Sequence, residues 1–248
     1  MIKRIKNVLN RLGNSKSCYV CGNTFTYFIP YRESEKISYF TQALQMIGSD
    51  IKNFSCPYCW SHDRERHLLM YIDTLDLWKV LKGRVLHFAP EVHLSDKIAA
   101  LRPEQYVKAD LYSNDDDVEK IDITAIPYAN NSFDFLICNH VLEHIEDIET
   151  ALMEIYRVLR KGGMAILQTP YSNLLSNSFQ DKNINSDVLR MQFYGQEDHV
   201  RVFGHDLFNK LEDVGFQLRV KHHQEILVKI DSKKYGVNVN ENLILVEK

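Results

Sequence analysis

The sequence predicts an α/β fold: a seven-stranded, mostly parallel, doubly wound sheet with an N-terminal zinc-knuckle extension. Three observations predict it. From residue 84 onward, short apolar runs alternate with segments of helical period, the pattern of parallel strands joined by crossover helices. Runs such as RVLHFA (84–89) and FDFLICN (133–139) are mostly apolar, as strands covered on both faces are. Upstream, two C-x-x-C pairs stand apart from that alternation. The expected organisation is residues 1–60 for an N-terminal helix and the four-cysteine segment, and 61–248 for the α/β domain.

The elements follow in order. Residues 61–83 read as one helix, capped by Ser61 or Asp63, striped by Leu68, Leu69, Ile72, Leu75 and Leu81, and ended by Gly83. Strands are expected at 84–89, 105–111, 118–123, 133–139, 164–170, 216–222 and 242–247. Helices are expected at 92–101, from Ile145 to Leu159, and near 205–213. Arg160, Lys161 and Gly162 read as the charge and cap signals closing the second of these. Residues 171–203 are polar, aromatic and too long for a simple connection, which points to a functional excursion.

Composition narrows the functional classes. The 248 residues carry a net charge of -3, so no overall basic field draws in nucleic acid. No apolar run reaches the roughly 20 residues that span a bilayer. Residues 1–12 place Ile2, Ile5, Val8, Leu9 and Leu12 at helical spacing among lysines and arginines. That pattern suits weak contact with an anionic membrane surface, although a short helix packed on its own domain is the plainer reading.

Five cysteines, four of them in pairs, argue for metal binding in a reducing, cytoplasmic setting rather than for disulfides. Cys18, Cys21, Cys56 and Cys59 supply the four thiolates that a structural Zn2+ favours and leave it no open position. Redox dithiols or unpaired core thiols are the alternatives. His62 and His67 lie nearby but are not needed as ligands. Such a metal would clamp the 22–55 excursion as part of a substrate lid. Arg64 and Arg66 offer contacts for a substrate anion, against the commoner salt-bridged helix face.

The segment VEKIDITAIPYANNSFDFLICNHVLEHIEDIETALMEIYRVLRKGGMAILQTP, from residue 118, resembles class I S-adenosylmethionine-dependent methyltransferases of the type 11 kind. It carries an acidic D-x-x-x-I-P stretch, a strand ending in H-V-L-E-H, a helix ending R-V-L-x-x-G-G, and a following strand. EDHVRVFGHDLFNKLEDVGFQL (197–218) resembles a later segment of the same family. The resemblance covers roughly 82–248 and implies a Rossmann-like methyltransferase fold and S-adenosylmethionine as cofactor. The residues alone support only a doubly wound sheet.

One departure stands out. The family's glycine-rich loop after the first strand is here VLHFAPEVHL, with no glycine between Gly83 and Gly162. The stretch resembles a smaller subgroup with L-H-x-A-P-E at this point and an upstream segment like FSCPYCWSHDRERHL. The resemblance implies a cofactor site of His87, Ala89, Glu91, Asp110, Leu111, Asp122, Ile123, Asn139 and His140. Glu91 would take the methionine ammonium, or else complement a helix N-terminus. Asp110 would accept from the ribose hydroxyls, or else form a turn. Asp122 and Ile123 would meet the adenine. The run Asp115–Asp117 reads as a solvated acidic loop, since consecutive carboxylates cannot converge.

His140 and His199 are the candidate catalytic bases, with Tyr171 next, because histidine titrates near neutrality. His144 follows one turn later, and Glu143 reads as a cap or brace for that helix start. The expected reaction is methyl transfer to a small-molecule or glycan acceptor. An RNA methyltransferase is disfavoured, since the cysteine region lacks a basic stripe interleaved with aromatics. A binding module without catalysis is the reading suggested by the missing glycines.

Overall fold

A computed structural model of the chain describes residues 10–31 and 38–248. The greater part of the amphipathic N-terminal stretch expected at 1–12 lies outside the described residues. The chain forms two compact units: Met1–Ile37 with Gly48–Asp76 and His222–Asn242, and Ser38–Ile47 with Leu77–Lys221 and Leu243–Lys248.

In the first unit, strands β1 (Lys16–Ser17) and β2 (Thr24–Phe25) pair antiparallel around the first C-x-x-C turn. The Cys18 carbonyl accepts the Gly22 amide at 2.9 Å, and Gly22 takes a φ of 73° that favours glycine. Helix Asp63–Thr74 is buried around most of its circumference, with Arg66, Leu69 and Tyr71 all inside. It is shorter than the 61–83 helix expected. The chain breaks at Asp76, at φ 53°, and resumes as a 3-10 stretch over Leu77–Lys82. Neither expected cap acts as one, because each side chain is used elsewhere. The helix is preceded by His62 without a side-chain cap; the Ser61 hydroxyl faces two cysteine sulfurs, and Asp63 accepts the Asp50 amide. Two single-turn helices, His223–Ile226 and Ser232–Tyr235, were not legible in the sequence.

The second unit holds strands β3 (Arg84–Phe88), β4 (Gln105–Ala109), β5 (Phe133–Asn139), β6 (Leu159–Gln168), β7 (Gln217–Leu218) and β8 (Leu245–Glu247). Among the described residues they form one six-stranded sheet in the order β4-β3-β5-β6-β8-β7. The first four are parallel, and β8 runs antiparallel to both β6 and β7. The sheet is therefore mixed and six-stranded, not seven. The missing strand is 118–123. There only Glu119 bridges Ala109, and the chain then turns at Asp122, whose Oδ1 accepts the Thr124 amide at 2.8 Å. Ile121 and Ile123 are nonetheless buried, so the apolar alternation was real without a ladder behind it.

Helix Ile148–Val158 buries Ile148, Ala151, Leu152, Ile155 and Val158 against the sheet, close to the expected stripe. Asp147 caps it through the Thr150 amide at 3.1 Å. Arg160, Lys161 and Gly162 do not cap its end. Leu159 is already extended, these residues belong to β6, and Arg160 pairs with Asp134. The 171–203 excursion contains a helix, Asp187–Tyr194, stopped by Gly195 at φ 87°.

Candidate functional site

In an open parallel sheet, ligands bind where strand order reverses. Here that point lies between β3 and β5, since the chain leaves β3 for β4 and returns to β5 on the other side. Phe88 and Cys138 are in register on these strands. One residue beyond Phe88, Ala89 takes φ 45°; two beyond Cys138, His140 takes φ 56°. A left-handed residue other than glycine costs about 1–2 kcal/mol, and two of them flank the switch point. Ala89 thus adopts a conformation that glycine would take without strain, with its amide held by the Ala109 carbonyl at 2.8 Å.

Between the two turns lies a buried polar chain. Tyr106 Oη and His87 Nδ1 are 2.9 Å apart; His87 Nε2 lies 3.0 Å from Glu91 Oε2; and Asn139 Nδ2 donates to Glu91 Oε1 at 2.6 Å. His87 is fully buried, so it orients Glu91. Asn139 is also buried, and its Oδ1 has no hydrogen-bond partner among the described residues. A buried acceptor in that state costs free energy until a donor reaches it.

The acidic strand ends are more exposed. Asp110 Oδ1 accepts the Tyr112 amide at 2.7 Å, the turn role weighed from the sequence. Leu111 is exposed, Asp122 forms its own turn, and Ile123 is packed in the main core. Asp115, Asp116 and Asp117 are exposed.

After β5, Glu143 is only 1% exposed. His140 Nδ1 lies 3.3 Å from its Oε1, and Thr169 Oγ1 donates to its Oε2 at 2.8 Å. Burial pushes this carboxyl up, but His140, His199 and His144 outweigh it and hold it at about 2. His144 and His199 stand edge to face at 4.7 Å. Burial in turn pulls His199 below its ordinary value, opposed by Glu143. Tyr171 is buried, its backbone paired with Ile47. The sequence offered Glu143 only as a cap or brace, and among the described residues no side chain caps the turn Leu142–His144; His199 is too distant along the chain for the pairing to be read from spacing.

In the first unit the four cysteines come together. Sγ atoms of Cys18 and Cys59 are 3.7 Å apart, those of Cys21 and Cys56 3.8 Å, and all four lie within 4.8 Å of one another. Thiolates at about 2.3 Å from a tetrahedral zinc would be about 3.8 Å apart, so the donor set fits the ion. Arg66 is not a surface anion contact. It is fully buried and donates to five carbonyls, those of Asn53, Phe54, Ser61, Tyr235 and Gly236. Cys138 is buried in the other unit's core.

Residues 81–167 match the family model of a methyltransferase domain. An uncharacterized methyltransferase of Schizosaccharomyces pombe is 32% identical over 111 residues, 44% of this chain and 39% of that protein. An uncharacterized protein of Methanocaldococcus jannaschii is 25% identical over 140 residues, 56% of this chain and 60% of that one. The chain therefore spans less than two thirds of either relative. Among solved structures, an S-adenosylmethionine-dependent methyltransferase from Mesorhizobium loti aligns with TM-score 0.50 at 12% identity, covering 72% of this chain and 98% of that one. The fold is thus the Rossmann-like fold of such methyltransferases, with the family match confined to residues 81–167.

Proposed function

We propose that this chain transfers a methyl group from S-adenosylmethionine to a small-molecule or glycan acceptor by in-line displacement, and that its four cysteines hold a structural zinc. The observation that carries the first part is the orphaned Asn139 Oδ1 beside the Glu91 carboxylate, set between two strained turns at the switch point. An ammonium group is the complementary ligand: it supplies donors to both oxygens and a charge to balance Glu91. The methionine moiety carries such a group.

On this reading His87 is a positioning residue that fixes the Glu91 carboxylate from below. The Ala89 turn brings backbone close to the cofactor without a glycine. Asp110 offers its second oxygen to the ribose diol, Leu111 lies beside it, and Asp122 with Ile123 borders the adenine. The sulfonium supplies an already activated methyl carbon, so the protein's work is chiefly to orient the acceptor. His140 and His199 are the groups assigned to the acceptor's proton.

Titration calorimetry with S-adenosylhomocysteine tests the reading. One site per chain is expected, weakened by Glu91→Gln. Absence of binding to the folded, zinc-loaded protein would overturn it. For the second part, metal analysis of the purified protein should find zinc that Cys56→Ser removes.

A further inference from the structure

The cluster after β5 has more ligand character than proton removal requires. Glu143, His144 and His199 each bring one ligand atom to within 4.8 Å of the others. Their surroundings are arranged as those of metal ligands are. His144 Nδ1 lies 3.3 Å from the Asp198 carbonyl and 3.3 Å from its Oδ2. His199 Nδ1 lies 3.2 Å from the Tyr194 carbonyl. An imidazole whose Nδ1 proton is given to such an acceptor keeps its Nε2 lone pair for an ion, and this second contact is habitual in metal-bound histidines. Glu143 is braced by Thr169 Oγ1 at 2.8 Å and by His140. Two imidazoles and one carboxylate leave coordination positions open, unlike the four thiolates.

We infer that Glu143, His144 and His199 bind a divalent first-row transition cation, separate from the cysteine site, and that this cation receives the hydroxyl oxygen of the methyl acceptor. The cation site stands by itself; its use in catalysis rests on the methyltransferase reading above. The acceptor class is then an alcohol or phenol. Binding to the cation acidifies the O–H, and the proton leaves to water. An oxygen lone pair forms the new bond to the methyl carbon while the sulfur–methyl bond breaks, sulfur keeping its electron pair. With the cation bound, His199 gives up the base role assigned to it above and acts through the metal.

The test is cobalt titration of the full chain with its cysteine site already loaded with zinc, followed by visible absorption and by calorimetry. The expected result is one further equivalent, bound without thiolate-to-cobalt charge-transfer bands. His144→Ala and His199→Ala should each lose that equivalent while zinc content is unchanged. Should those variants fold poorly, Asp198→Asn alters an exposed residue that touches His144 and not the ion, and should weaken cobalt about tenfold. No further equivalent, or one that survives all three substitutions, overturns the site. Calorimetry with S-adenosylhomocysteine on the same samples separates the two failures. Cobalt bound without cofactor affinity leaves the site standing and removes its catalytic use. Cofactor bound without cobalt overturns the cation site and leaves the methyltransferase reading standing.

Discussion

Replacing Arg66 by methionine tests the packing that supports the cysteine site. The guanidinium donates at 2.6 Å to Asn53, 2.8 Å to Ser61, 2.9 Å to Phe54 and Gly236, and 3.1 Å to Tyr235, and lies 4.0 Å over the Phe28 ring. Methionine fills much of the volume but donates to none of the five carbonyls. At about 1 kcal/mol for each acceptor left dry, the loss is about 5 kcal/mol. Relief from burying a charge offsets part of it; burial already pulls the guanidinium below its ordinary value, though Asp63 opposes this. A net cost of about 3 kcal/mol is expected, a large share of the roughly 5–15 kcal/mol typical of a folded protein. For a chain of this size that lowers the melting temperature by about 10 °C. Thermal unfolding followed by circular dichroism reads it directly. Arg66→Lys, with three donors on one nitrogen, should fall between. A methionine variant within about 1 kcal/mol of the parent would refute the reasoning.

Three further outcomes follow from the same geometry. Asp134 is pushed up by partial burial, but Arg84 and Arg160 hold its carboxyl at about 2, below the ordinary 3.8. Its contribution, about 2 kcal/mol, is therefore fully present above pH 3.8 and disappears as pH falls through about 2; denaturant titrations of Asp134→Asn should show the loss at pH 7 and a flatter acid limb. Glu91→Gln keeps the shape but removes the charge proposed to face the ammonium, and should weaken S-adenosylhomocysteine roughly 10- to 100-fold by calorimetry with little change in melting temperature. Chelating the proposed zinc, or Cys56→Ser, should release hydrogen-exchange protection around β1, β2 and helix Asp63–Thr74 first, because Cys18, Phe25, Phe28 and Cys56 form a small core of their own.

What could be read from the sequence depended on how local its cause was. RVLHF and FDFLICN are legible because a strand covered on both faces needs an apolar residue at nearly every position. Helix Ile148–Val158 is legible because its buried face repeats with the helical period. The stretch 118–123 misled because Ile121 and Ile123 alternate as a strand does while being buried from a coil. Arg160 misled because a basic residue near a helix end suits a C-terminus, but its partner is Asp134, on the neighbouring strand. The single turns at 223–226 and 232–235 are too short to show a period. At the site, Glu91 and Asn139 were each legible, but their contact is made across 48 residues of chain. Glu143 and His199 likewise meet only through the fold, and Arg66 looked like a surface charge because nothing local shows that five carbonyls converge on it.

The central claim is that the carboxyl ends of β3, β4 and β5 hold an adenosyl sulfonium despite a turn without glycine. A crystal structure with bound S-adenosylhomocysteine tests it most directly. The account predicts the ligand's ammonium on Asn139 Oδ1 and Glu91, its ribose on Asp110, and Ala89 still left-handed beside it. A ligand bound elsewhere, or side chains filling the space between Ala89 and His140, would contradict it.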